Sequence, residues 1–520
     1  MRLPIGIQSF RKIIEGGYVY ADKTKVIHRL IQEGSYYFLS RPRRFGKSLL
    51  IDTMNELFLG HRELFAGLYI ASKEANYDFP RYPVIRLDLT QFDITSPETV
   101  KSGLTKELNK IAENESIILK GDNPTEQFSE LIAAMAKKQG NRVVVLIDEY
   151  DKPVIDHIHD PEKARINREV LGNFYGVLKG QDANLQFAFL TGVSKFTKLS
   201  VFSKSNNLND ITLRVPYANI CGITEYEFEN LFGNEIDNEI KSEVFDWYDG
   251  YSWDGETRVF NPFSLLNYLN DREFNPYWFN SGIPSFLAPA FIAEPFEYVN
   301  IQSELISESM LDSHNIEDAP LISLLFQTGF LTVKAANRNA RPPLYSLGFP
   351  NIEVSNSISE LFLMSGSGLE NPYNNTFITC MEKALDEGDY KEISAALQSL
   401  YASIPYELHI GAEAFYHAIF LAVMQFLNFR VQGEVSVAKG RIDGVLERPN
   451  RKVYIIEFKY TKDESKLDDA LKEALTQIDN REYHSRYEIP GREVIKLAIA
   501  VATRGKVKAQ LCDNSKICAD

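Results

Sequence analysis

The feature that most constrains this fold is a Gly-Lys-Ser triplet set between an apolar run and a helical one. Tyr36-Tyr37-Phe38-Leu39 suits a buried strand, and Ser48 to Phe58 carries helical spacing. Between them lies Ser40-Arg41-Pro42-Arg43-Arg44-Phe45-Gly46-Lys47-Ser48. Strand, loop and helix in that order form a phosphate cradle. Gly46 lets the backbone approach an oxyanion and the helix start aims N–H groups at it, while Lys47 reaches the β/γ oxygens and the Ser48 hydroxyl sits on Mg²⁺. The strict pattern has glycine where this chain has Arg41, so the match is incomplete. Further strands are expected at Val84–Leu89, Val143–Ile147 and Phe187–Thr191, with helical patterns between them. That alternation predicts a parallel sheet covered by helices on both faces.

A metal-organising partner is expected at the end of the third of these strands. Val143-Val144-Val145-Leu146-Ile147 runs straight into Asp148-Glu149. Burying unpaired carboxylates at a strand end costs several kcal/mol, so such a pair faces a metal or a cation unless the strand end is solvated. In the first case Asp148 holds the Mg²⁺ shell and Glu149 orients the attacking water. Phe189-Leu190-Thr191-Gly192-Val193-Ser194-Lys195-Phe196 ends another apolar run in small polar residues, making Thr191 and Ser194 candidates for sensing a γ-phosphate or for plain turn chemistry. Arg43 and Arg44 are open to three roles: phosphate contact, contact with a neighbouring subunit of a homo-oligomer, or solvation. Phe45 belongs to the same loop.

Length and charge bound the rest. A chain of 520 residues exceeds one hydrophobic core, and a net charge of −15 excludes a molecule that is basic all over, though not a local basic groove. The four cysteines, Cys221, Cys380, Cys512 and Cys518, are too few and too scattered for a disulfide framework, which suits reduced thiols in a cytoplasmic protein. No signal-peptide core is visible, and the apolar stretch from His417 to Phe429 is too short to span a bilayer, so a soluble protein is expected. Residues 206–285 are irregular and rich in Asn, Tyr and Trp. A helix ending at Gly329, then strand-like runs Leu331–Lys334 and Leu344–Leu347 around a tip with Asn337, Arg338 and Asn339, predict a small winged-helix-like unit with a basic tip. Residues 376–404 read as helices.

From about residue 406 the pattern is helix, three strands, helix, strand, with a second carboxylate cluster. Asp443 lies in Arg441-Ile442-Asp443-Gly444, and Glu457-Phe458-Lys459 closes Val453-Tyr454-Ile455-Ile456. Alternation places Glu457 and Lys459 on one face of a strand, with Asp443 on the preceding strand. Two such carboxylates can share a Mg²⁺ while the lysine positions or deprotonates a water, which suits phosphodiester hydrolysis. Cross-strand salt bridging is the plainer alternative. Glu413 on the upstream helix, Glu434 on a neighbouring strand, and Gln477 and Tyr483 downstream are further candidates.

These residues resemble a known family. Leu3-Pro4-Ile5-Gly6 with Phe10, Tyr20-Ala21-Asp22-Lys23-Thr24, Arg41 to Ser48, Asp148-Glu149-Tyr150-Asp151, Thr191 to Phe196, Tyr248-Asp249-Gly250-Tyr251 and Asn261-Pro262-Phe263 are similar to signatures of the bacterial AAA-ATPase-like family. Its members commonly carry a PD-(D/E)XK nuclease-like domain at the C-terminus, and Asp443, Glu457 and Lys459 match that superfamily's core. The resemblance implies an α/β multidomain chain: a P-loop AAA-ATPase-like domain over 1–205, a helical lid over 206–285, a winged-helix-like and helical linker over 286–404, and a restriction-endonuclease-like domain over 405–520. It implies ATP and Mg²⁺ as cofactors, DNA or RNA as partner, no membrane, and an adenine bordered by Ile5-Gly6 and Tyr20–Thr24. Two functions follow. One is an ATPase coupled to a metal-dependent nuclease; the other is an ATP-controlled switch whose C-terminal domain binds a partner or nucleic acid without cleaving it.

Overall fold

The computed structural model describes residues 1–157, 160–195, 208–281, 305–311, 320–367, 376–403, 413–427, 429–437, 440–447, 452–480, 487 and 493–512. The chain divides into two compact units, one of residues 1–278 and 306–345, the other of 279–305 and 346–520.

The first unit is built on a five-stranded, all-parallel sheet of β1 (Tyr36–Ser40), β2 (Val84–Asp88), β3 (Val143–Asp148), β4 (Leu185–Gly192) and β5 (Asn209–Asp210), in the order β2-β3-β4-β1-β5. The interior strands are almost wholly apolar because both faces are covered; every residue of β3 is buried. Crossovers are helical: the helix Lys47–Phe58 follows β1, the helices Pro97–Asn114 and Pro124–Gln139 follow β2, and the helix Pro161–Gly180 follows β3. Each of the last three starts at a side-chain cap followed by proline: Ser96, Asn123 and Asp160 accept from the amide three residues on. The two-residue β5 is too short to leave a periodic signal in the sequence.

Beyond β5, β6 (Ile223–Thr224) and β7 (Val259–Phe260) pair next to the helices Glu225–Phe232, Asn238–Tyr248 and Pro262–Asp271. Their aromatic core includes Phe228, Phe260 and Tyr248, onto which Leu3, Ile5 and Val19 of the N-terminal segment pack. The expected helix and hairpin are also present. β8 (Leu305–Ser307) pairs with the far strand of the hairpin in the order β8-β10-β9, with β9 (Thr332–Asn337) and β10 (Leu344–Gly348) following the helix Leu321–Thr328. The basic tip is docked: Arg338 donates to the Asp254 carbonyl at 3.2 Å.

The second unit contains the helices Ile352–Ser367, Thr376–Glu387 and Tyr390–Ser403 and a mixed sheet of β11 (Arg430–Val437), β12 (Gly440–Glu447), β13 (Lys452–Thr461), β14 (Glu493–Ala502) and β15 (Val507–Cys512), in chain order. Only the β13–β14 pair is parallel, and the crossover between them contains the helix Leu467–Asn480. Its apolar stripe (Leu467, Leu471, Ala474, Ile478) packs on Ala498, Ala500 and Ala502. β15 is one strand more than the sequence pattern indicated: a six-residue edge strand close to the chain end. Among the described residues no helix is long and apolar enough to cross a membrane.

Candidate functional sites

The first site lies where β1, β3 and β4 end side by side. Gly46 has φ of +87° and is the N-cap of the helix Lys47–Phe58, so the loop turns directly into helix at Lys47. Lys47 is 3% exposed, and its Nζ lies 3.1 Å from the Pro42 carbonyl and 3.1 Å from Glu149 Oε1. Asp148 is buried. Burial, then the charge of Glu149, lifts its carboxyl to about 6, against the opposing effects of a hydrogen bond from Ser48 and the charge of Lys47. Glu149 has φ of +50°, an unfavourable backbone conformation for a residue with a Cβ, costing on the order of 1–3 kcal/mol. The conformation is held from both sides, by Lys47 and by the Tyr150 N–H donating to Thr191 O at 3.1 Å.

β4 stands between β1 and β3, so its end borders both halves of the site. The Thr191 hydroxyl is buried and donates to the Leu39 carbonyl at 3.0 Å, locking β4 to the strand that enters the loop. Ser194 faces Asp151, a residue with no role assigned from its sequence pattern. Asp151 is fully buried and accepts from Ser194 N at 2.6 Å, Ser194 Oγ at 2.7 Å and Val193 N at 3.3 Å. Burial and then Glu149 raise its carboxyl to about 6 as well. The third carboxylate after the apolar run was the available signal. Arg43 and Arg44 are exposed; Arg43 lies 3.7 Å from Asp156, and Arg44, with φ of +66°, sits 5.0 Å from the Phe263 ring.

An apolar pocket opens beside Gly46. Pro4, Tyr20, Ala21, Phe45, Leu49 and Cys221 are among its walls. The ammonium of Lys23, also in the lining, is held by both oxygens of Glu227 at 2.7 and 2.6 Å, tying the N-terminal segment to the helix Glu225–Phe232 across the cavity.

The second site is at the middle of β12 and of β13. The antiparallel register of the two strands ends at Gly444↔Ile456, and Asp443 and Glu457 are the residues that adjoin that last pair. Asp443 Oδ2 accepts from Phe458 N at 2.8 Å, and Glu413 Oε2 accepts from Tyr460 N at 3.3 Å. Glu457 is fully buried, with Lys459 Nζ 3.1 Å from its Oε1. Burial works to lower the Lys459 ammonium, but Glu457, Asp443 and Glu413 together hold it above its ordinary value. Burial raises the Glu413 carboxyl, with Asp443 adding to the effect against Lys459. His417, unforeseen in the sequence, is buried against the Phe458 ring at 5.3 Å, and burial lowers its pKa.

Glu434 lies on β11 between Gly433, paired with Gly444, and Val435, paired with Ile442. Gln477 is half-buried on the helix Leu467–Asn480, and Tyr483 falls outside the described residues, as does Phe196. Among the described residues no three His, Cys, Asp or Glu side chains are grouped as a metal site. Mg²⁺ does not need three, since it keeps several waters and binds one or two carboxylates plus substrate phosphates.

Comparison with known proteins bears on both sites. The family described as predicted AAA-ATPase matches residues 4–202, and the PD-(D/E)XK nuclease superfamily matches residues 411–510. An uncharacterized protein in the vnfD 5′ region of Azotobacter chroococcum mcd 1 is 36% identical over 506 residues, covering 96% of each chain. The likeness therefore runs through both sites and the segment between them.

Proposed function

We propose, for a chain that belongs to the predicted AAA-ATPase family with a C-terminal domain of the PD-(D/E)XK nuclease superfamily, that it binds and hydrolyses ATP and couples this to cleavage of DNA or RNA. The observation that carries the reading is Lys47, buried between the loop carbonyl of Pro42 and the carboxylate of Glu149, with Ser48 bonded to Asp148 alongside. Phosphate-binding and metal-binding groups thus meet at one point, next to a cavity whose apolar walls suit a flat base. In this reading the Gly46–Ser48 backbone and Lys47 hold the phosphates, Arg43 and Arg44 stand at the loop's outer face, and Ser48 and Asp148 hold Mg²⁺. Glu149 orients water once the phosphates draw Lys47 away, and Thr191 keeps the end of β4 in register. The metal would supply charge neutralisation between the β- and γ-phosphates.

At the second site Asp443 and Glu457 would hold Mg²⁺, Glu413 would complete the acidic rim, and Lys459 would position the attacking water against the scissile phosphate. Residues 1–205 then form the ATPase domain, 206–285 its lid, 286–404 the linker and 405–520 the nuclease domain. The test uses the full chain with labelled DNA and RNA, Mg²⁺ or Mn²⁺, and ATP. Cleavage should disappear in Asp443→Ala, and ATP turnover should disappear in Lys47→Ala. Equal cleavage by the wild type and Asp443→Ala would sink the nuclease half of the proposal.

A further inference from the structure

Arg41 stands where a strict phosphate loop has glycine, and the structure shows where its side chain goes. The Arg41 N–H donates to Gly192 O at 3.1 Å, so the residue extends the β1–β4 ladder instead of entering the loop. The side chain is completely buried. One terminal nitrogen donates to Ser40 O at 2.9 Å and Thr212 O at 3.0 Å, and the other to Tyr217 O at 3.3 Å. The guanidinium carbon lies 3.9 Å from the centre of the Trp253 ring. Burial lowers its pKa to about 10, with Asp210 and Asp254 opposing at longer range, so the group stays charged at neutral pH. A buried cation held by main-chain carbonyls and a ring face, with its Nε left without a partner, is expensive to keep, and apolar packing alone would not call for it.

The same aromatic platform grips the loop a second time. Phe45, adjoining Gly46, meets Tyr251 edge-on at 4.7 Å and Trp253 at 5.5 Å. The stretch between these anchors contains the Pro42 carbonyl that receives Lys47. We infer that Arg41 is a positioning residue, which fixes the phosphate loop by clamping its root to Trp253. A glycine at this position would match the strict pattern and spoil the site. The inference rests on the nucleotide reading of that loop and adds to it the residue that sets the loop's shape.

The experiment compares Arg41→Gly, Arg41→Lys and Trp253→Phe with the wild-type full chain, measuring ATP turnover and, without nucleotide, hydrogen exchange of the amides of residues 43–48. Arg41→Gly should raise KM for ATP about tenfold or more with a smaller change in kcat. Arg41→Lys should come close to it, because lysine lacks the planar fork. Trp253→Phe should raise KM a few-fold, and exchange should quicken in all three. If Arg41→Gly fails to fold, the other two variants decide. Wild-type exchange in Arg41→Lys and Trp253→Phe would overturn the inference, whether or not ATP binds. Failure of the wild-type chain to bind ATP would overturn the nucleotide reading alone, leaving exchange to decide on Arg41.

Discussion

Each site contains a lysine–glutamate pair at 3.1 Å, reached by opposite routes. In the first unit, Lys47 on the helix Lys47–Phe58 meets Glu149 after β3, so the pair forms only when the parallel sheet has assembled. In the second, Glu457 and Lys459 are two residues apart on β13, and strand alternation alone puts them on one face. The neighbouring carboxylates differ too. Asp148 and Asp151 are buried and each bonded to a serine hydroxyl as well as to main-chain amides, whereas Asp443 is half-buried and Glu413 exposed, each accepting from a main-chain amide, that of Phe458 or Tyr460. The first arrangement is a closed network with charge held under tension; the second is a rim with lone pairs to spare. A site assembled from distant elements is therefore the more sensitive reporter of tertiary change.

The largest expected effect separates the two sites outright. Lys47→Ala should reduce ATP turnover on the order of 10²–10³-fold, in the range for losing a preorganised electrostatic contact. Metal-dependent cleavage measured without ATP should stay intact. Asp443→Ala should do the reverse, with cleavage at background and ATP binding by calorimetry unchanged. Loss of both activities in either variant would break the comparison.

The charge held at Asp148 gives a pH signature. Its native carboxyl titrates at about 6 against an ordinary 3.8, so it favours the fold fully below about 3.8 and withdraws that favour as pH rises through about 6. At about 1.4 kcal/mol per unit, the difference approaches roughly 3 kcal/mol. Asp148→Asn should therefore raise the melting temperature of the ligand-free protein at pH 8 more than at pH 4, while abolishing the Mg²⁺ dependence of ATP binding. In the wild type, Mg·ATP affinity should fall as pH drops below about 6, because the metal needs the ionised carboxylate.

Smaller effects sharpen the picture. A Cβ at Gly192 would lie 2.6 Å from the Tyr150 ring and against Asp151, so Gly192→Ala should cost about 1–3 kcal/mol in chemical denaturation. Lys23→Met removes the pair with Glu227 across the apolar cavity and should weaken ATP binding a few-fold, with nuclease activity unaffected. An unchanged affinity would remove the cavity from the nucleotide site.

Much of this was legible because it is local. The order strand, loop, helix around Gly46-Lys47-Ser48, the carboxylates closing β3, and the alternation of Glu457 with Lys459 follow from periodicities of a few residues. The resemblance to the AAA-ATPase-like and PD-(D/E)XK families rested on the same short signatures. The role of Asp151 was hidden because its partners, Val193 and Ser194, lie past the next crossover helix. The docked Arg338 was hidden because a basic hairpin tip looks the same in sequence whether it faces solvent or a carbonyl.

Side-chain spacing and backbone propensity act over one turn or one pleat, so they marked most strands and helices, though not β5 or β15, and picked out residues able to bind phosphate and metal. That β4 lies between β1 and β3, that Lys47 rests against Glu149, and that Arg41 turns away from the loop onto Trp253 emerge with the assembled sheet. Those outcomes depend on strand order, and the interior strands, uniformly apolar because both sheet faces are covered, do not specify their neighbours through hydrophobic pattern alone.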